Sequence, residues 1–571
     1  MASSSLPPIP PSFQIDSSRL PPESSFRTEY TLERARRFLD PSRFLCYTED
    51  QRKNALLWLF FNVTSHLYRN ISVEKPKAIA ICGYVHHDGL GDYYNMLEMA
   101  DLAAEIFPQA IISVVAEFGN EWRVPGLSKK IIDTLHPSQR YEMIMLDHYE
   151  VLENKPEIAE QIDRALEIFS QADLIIDTPF SKRPYFVCSL ISGHWHLKVG
   201  RELSHVPREN KIIKFREFSN DEIPWYEQFY LGISPFSLGL LFPKMPREVS
   251  LEDISNRSLI DALHSTERPT LAPLHFAYFR ANPRTEVFAF YLLAIATQHA
   301  GKVPLIQVVI NFFKISSMKS AQYSGNKELI PNDDQFLEML KKQGVSKITL
   351  YDKTHQHPLQ THILSESEGV HIQVFDPFPM SNKDFRILQV LAEPLQGCTG
   401  DLSFSQVLEG ENIPFYEAPS HKSETIKFLI WIAEKAKERG EWSDKVPQCL
   451  QILDCLSTSN GNFSYFISLF GNERAEKESP FSLQLELAQR LGTLLSDPEF
   501  SHEWRAFCAF LKTEVNFNLI LPQQLFRKLV LNQYPEIQEQ ERVVREDLRL
   551  NKITLQEAQD KMEALLSPWR S

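Results

Sequence analysis

The sequence predicts an α/β protein with two Rossmann-like domains facing a cleft and an additional α-helical C-terminal region. Three observations predict it. From Ala78 onward, short apolar runs rich in β-branched residues alternate with amphipathic helical stretches, the pattern of a parallel sheet with crossover helices. The alternation starts afresh near Thr270, so two such units are expected. Beyond Glu441 the apolar spacing stays helical. The 571 residues also exceed what one core commonly fills, about 250–300. The expected segments are a disordered Ser- and Pro-rich tail over 1–28, a first Rossmann-like domain with a helical preface over 29–265, a second over 266–440, and a helical appendage over 441–571.

Ala78–Val85 is apolar almost throughout, as a strand buried on both faces must be. The loop His86-His-Asp-Gly-Leu-Gly-Asp92 follows, then a helix to about Phe107 with Met96, Met99, Ala100 and Ala103 at helical spacing. Ile111–Val115, Met143–Leu146 and Leu174–Ile176 read as further strands, and Tyr230–Pro243 as loop. In the second unit the strands fall at about His275–Tyr278, Leu305–Ile310, Ile348–Tyr351 and His371–Phe375. Ser381 to Asp384 reads as a capping start for a helix over Phe385–Leu391. A loop over Gln396–Asp401, a helix from Ser403 to Glu409 and a last strand at Ile413–Tyr416 complete the unit.

Composition narrows the function. The formal charge of −14 leaves little to attract a phosphate backbone, so nucleic acid is not expected as the partner. Seven scattered cysteines without CxxC spacing fit a reducing compartment. The most apolar run, Leu56–Val63, falls well short of the ~20 residues of a membrane span. No signal peptide is read at the N-terminus, and a cytoplasmic location is expected, with export into another cell left open.

Ligands of open parallel sheets bind outside the strands' carboxyl ends, so the loops there carry the candidates. The first is Asp88-Gly-Leu-Gly-Asp92, where two carboxylates straddle a glycine turn at a helix start. The second is Phe276-Ala-Tyr278-Phe-Arg280-Ala-Asn-Pro-Arg284: arginines can fork onto diphosphate oxygens, and aromatics can stack on a base or sugar. The third is Cys398-Thr-Gly400-Asp401-Leu-Ser403-Phe-Ser-Gln406, a glycine turn that delivers a serine at a helix start, where free N–H groups favour a diphosphate. Each has a plainer reading: Asp92 as a helix cap, the arginines as solvated side chains beside core aromatics, and Asp401 or Ser403 as an N-cap. The pairs His194/His196 and His355/His357 offer two rings each, fewer than a zinc site takes, so no metal is expected.

The combination of D-x-x-G-D after the first strand, F-A-Y opening the second unit and T-G-D-x-S-F before the last strand resembles inverting glycosyltransferases of the GT-B type. It is most similar to the bacterial protein-arginine rhamnosyltransferase family. The resemblance implies that Asp92 is the base and Asp88 its helper, with Tyr278, Asp401 and Ser403 as donor contacts. It implies a nucleotide sugar as co-substrate, no further cofactor, and a protein or glycan acceptor. Asp401-Leu402 stands where the family has a Glu-Asp pair, which leaves the sugar open. Two alternatives remain at this point: an inactive binding or scaffold protein on the same fold, and a sugar-nucleotide epimerase or hydrolase.

Overall fold

The computed structural model describes residues 49–69, 71–85, 91–118, 141–148, 151, 156–178, 211–217, 228–233, 237–264, 272–279, 285–311, 333–352, 354–378, 380–418, 422, 424–457 and 463–570. The protein is α/β, with two sheets and a large helical complement. The chain divides into two compact units, one formed by 1–241 with 514–571 and the other by 242–513.

The first unit contains β1 (Ala78–Val85), β2 (Ile111–Phe118), β3 (Glu142–Asp147), β4 (Leu174–Asp177), β5 (Ile212–Glu217) and β6 (Gln228–Leu231). Their order across the sheet is β3-β2-β1-β4-β5-β6, and every pairing is parallel. This is the doubly wound order, whose topological switch point lies between β1 and β4. In β1 alternate residues face opposite layers, and both layers are helical. Ile79, Ile81 and Val85 share a core with Tyr93, Met96, Met99 and Ala103 of the helix Gly91–Ile106. Ala80 and Cys82 meet Ile158, Ile162, Ala165 and Phe169 of the helix Pro156–Gln171. That double burial is why β1 has no charged side chain.

The first layer also takes in both ends of the described chain. Leu57, Phe60 and Phe61 of the helix Glu49–Thr64 join Leu525, Ile537, Leu548 and Met562 of the helices Leu521–Gln533, Pro535–Arg549 and Leu555–Leu566. Inside this layer Glu541 is buried and accepts from the Tyr68 hydroxyl and from Arg527. The Arg527 guanidinium lies 4.3 Å from the centre of the Phe61 ring. An ion buried this way is tolerated because partners replace the water it lost.

The second unit contains β7 (Leu274–Ala277), β8 (Leu305–Ile310), β9 (Val345–Tyr351), β10 (Pro358–Ile363), β11 (Val370–Phe375), β12 (Leu395–Cys398) and β13 (Ile413–Tyr416), in the order β10-β9-β11-β8-β7-β12-β13. All neighbours are parallel except β10, which returns antiparallel from β9. The chain runs from β7 towards β8 on one side and later places β12 and β13 on the other, so the switch point lies between β7 and β12. The helix Thr285–Gln298 is buried on nearly every side, from Val287 to Ala296. Such a helix needs cover from more than its own sheet. The helix Pro480–Leu495 supplies it: a Cβ on Gly492 would lie 2.3 Å from the Ala294 carbonyl oxygen, so only glycine allows that approach.

Two features differ from the expected segments. The helices beyond Glu441 are not one appendage: those up to Thr513 belong to the second unit and those from Glu514 to the first. The second unit also begins earlier, at Phe242, because Ile254, Leu259 and Leu263 pack with Phe276, Val309 and Phe375. Among the described residues, no helix is long and apolar enough to cross a membrane.

Candidate functional site

In the second unit the switch point brings two of the three candidate loops side by side. β7 leads into Tyr278 and β12 into Thr399, and the Tyr278 N–H donates to the Gly397 carbonyl oxygen at 2.9 Å. A Cβ on Gly397 would sit 2.5 Å from the Ala277 Cβ and 2.7 Å from the Phe279 ring, so glycine is what lets the strands close. Asn311, just past β8, ties the neighbouring loop. Its carbonyl oxygen accepts from the Phe279 N–H and its amide donates to the Phe279 carbonyl, both at 2.8 Å.

Gly400 makes the turn, with φ 76° and ψ 163°, a combination that side chains strongly disfavour. The helix Asp401–Glu409 starts immediately after it. Ser403 closes the turn from within: its Oγ accepts from the Thr399 N–H at 3.1 Å and donates to the Thr399 carbonyl oxygen. The hydroxyl therefore holds the loop's shape, and N–H groups at the helix start remain the anion-attracting element. Thr399 is tied in turn to the end of β13, its hydroxyl donating to the Glu417 carbonyl at 3.1 Å. Gln406 is buried one turn further along the helix.

Asp401 sits at the first position of this helix, 3.0 Å from the Lys422 ammonium. Lys422 follows the last strand and is only 6% exposed. It is the one cation placed beside the glycine turn among the described residues of this loop pair, and sequence reasoning missed it. Its place in the stretch that follows the last strand was the available signal. Tyr278 is half-buried, its ring 5.4 Å from both Phe378 and Phe385, so it belongs partly to the aromatic core. Burial pushes the Tyr278 phenol and the Cys398 thiol up, so neither ionises readily. Arg280 and Arg284 lie outside the described residues.

In the first unit Asp92 lies half-buried in the first turn of the helix that follows β1, beside the β1–β4 switch point. Asp88 lies outside the described residues, as do His194 and His196. The histidine of the other pair that is buried, His355, faces Ser258 at 3.1 Å. Among the described residues, no group of three or more His, Cys, Asp or Glu side chains is arranged to hold a metal ion.

No protein-family model matches the chain, and no curated protein does. Among solved structures the chain is similar to Medicago truncatula UGT71G1 complexed with UDP-glucose. The identity is 12%, over 79% of this chain and 98% of that chain, with a TM-score of 0.32, too low to establish a common fold for the two whole chains.

Proposed function

We propose that the protein is a glycosyltransferase that moves a sugar from a nucleoside diphosphate to an acceptor with inversion and without a tightly bound metal. One observation carries the reading: the loops after β7 and β12 start side by side at the β7–β12 switch point, and the helix that begins at Gly400 opens on Asp401, which is paired with the buried Lys422. Helix-start N–H groups and a shielded ammonium are what a leaving diphosphate needs in place of a metal ion.

In this reading Asp401 holds Lys422 until the diphosphate arrives, and Gly400 and Ser403 keep the helix start open. Arg280 and Arg284 reach the phosphates, and Tyr278 walls the site. Asp92, with Asp88, is the acceptor-side carboxylate, which orients or deprotonates the acceptor. The resemblance of these motifs to the protein-arginine rhamnosyltransferases makes a protein side chain one candidate acceptor.

The test is thermal stabilisation of the full chain by UDP, GDP and dTDP. A diphosphate at a hundredfold excess over its Kd stabilises by about 2.7 kcal/mol. Stabilisation by one of them supports the reading. A flat response to all three rejects it and favours a scaffold role.

A further inference from the structure

The seven-stranded sheet of the second unit ends differently at its two edges. β13 is buried along its whole length, whereas β10, among the described residues, pairs with β9 alone. Leu359 is 52% exposed and Ile363 71%, and Thr361 between them is exposed as well. Just past β10 the Leu364 N–H donates to the Ser346 carbonyl oxygen, on the β9 side, at 2.8 Å. Alternation along an antiparallel strand then turns the N–H and C=O groups of Thr361 and Ile363 towards the open edge. Proteins commonly blunt such an edge with charges, proline or a bulge. Here Pro358 and the bulge before Gln360 act only at the start of the strand. β10 (Pro-Leu-Gln-Thr-His-Ile) carries no Asp, Glu, Lys or Arg to repel another strand.

We propose that β10 is a dimer interface, pairing antiparallel with β10 of a second copy of this chain about a two-fold axis at Thr361. The strand is self-complementary about that residue. The axis sets Thr361 against its own copy and Leu359 against Ile363, so both exposed side chains gain an apolar neighbour. The flanks match in charge as well. Glu366 and Glu368 follow the strand, His357 precedes it, and all three are exposed. Antiparallel pairing puts the acidic end of one strand beside the histidine end of the other. A parallel pairing would set acid against acid, which is destabilising. One strand pair falls short of the roughly 1,200–2,000 Å² that stable interfaces bury, so the dimer is reversible and of micromolar affinity.

The test is sedimentation velocity of the full chain over a range of about 1 to 100 µM, where a shift from monomer to dimer is expected. Ile363→Lys should raise the dimer Kd at least about tenfold, because a lysine would lose water against an apolar partner. Ile363 is exposed in the single chain, so the dilute variant should keep the parent's thermal midpoint. Thr361→Cys reads the axis itself. Paired residues on it lie about 5.5 Å apart at Cα, within disulfide reach, so mild oxidation should link two chains. That variant is made with Cys46→Ser and Cys188→Ser, since the five other cysteines are buried. A monomer throughout the range overturns the proposal and assigns the open strand to an extended segment of another protein. A dimer that Ile363→Lys leaves intact, or that Thr361→Cys does not link, overturns it too.

Discussion

The Lys422 ammonium lies 3.0 Å from the Asp401 carboxylate, at the first residue of the helix that starts from Gly400. A lysine shielded this far is neutralised by its partner, and a diphosphate, which carries more negative charge, competes for it. Lys422→Met should therefore weaken binding of the free diphosphate by roughly 1–3 kcal/mol, the range of one charge-assisted hydrogen bond. Calorimetry with UDP, GDP and dTDP reads it directly. Equal affinity in parent and variant would remove Lys422 from the site.

Gly400→Ala tests the turn itself. Nothing lies within 4 Å of an added Cβ, so the cost is in the backbone conformation alone, about 1–3 kcal/mol. A lowered urea midpoint with an unchanged slope is the expected result. A midpoint equal to the parent's would mean that the turn relaxes without penalty.

Glu541 should make the first unit acid-sensitive. Burial alone pushes its carboxyl up, but Arg527 and Arg545 beside it and the Tyr68 hydroxyl hold it below the usual value. A carboxyl with a lowered folded pKa contributes stability that is present above the unfolded value of about 4.5 and is lost as pH falls through the folded one. Glu541→Gln should lose that contribution at pH 7 and leave the buried Arg527 and the half-buried Arg545 uncompensated, a cost of about 3–5 kcal/mol. Chemical denaturation of parent and variant between pH 7 and pH 3 decides it: the gap should be large at pH 7 and shrink towards pH 3.

His299 gives the second unit a different window. Burial, then Lys302, lowers its pKa to about 4, and its Nε2 lies 3.0 Å from Nε2 of the buried His275. The unfolded chain binds this proton near pH 6.5 and the folded one near 4, so stability is full above 6.5 and falls as pH drops between the two. His299→Gln, which cannot take up the proton, should flatten the stability profile there by roughly 1–3 kcal/mol. Parallel profiles for parent and variant would show that His299 does not couple folding to protons.

Legibility in the sequence followed local pattern. β8 and β13 match their expected bounds because each is a dominantly apolar run set between turn signals, with Gln307 the one polar residue of β8. Ser381 caps its helix through the Asp384 N–H, as the spacing implied. Leu-Gln-Gly-Cys, short and interrupted by a glycine, reads as loop in the sequence and is β12 in the structure. That glycine is there for Ala277 and Phe279, which lie more than a hundred residues earlier. β6 runs into a stretch whose sequence reads as loop from Tyr230. The three candidate loops were legible from composition, whereas the pairing of Asp401 with Lys422 is set by how β12 and β13 lie side by side.

The shared core of the first unit has a consequence for synthesis. A ribosome releases residues 242–513 as one continuous stretch, so the second unit can fold while the chain is still being made. The first unit is begun first and finished last. Until Leu525, Ile537 and Met562 emerge, the aromatic face of Phe60 and Phe61 lacks the partners that complete its core, so a nascent chain carries that apolar surface exposed to aggregation.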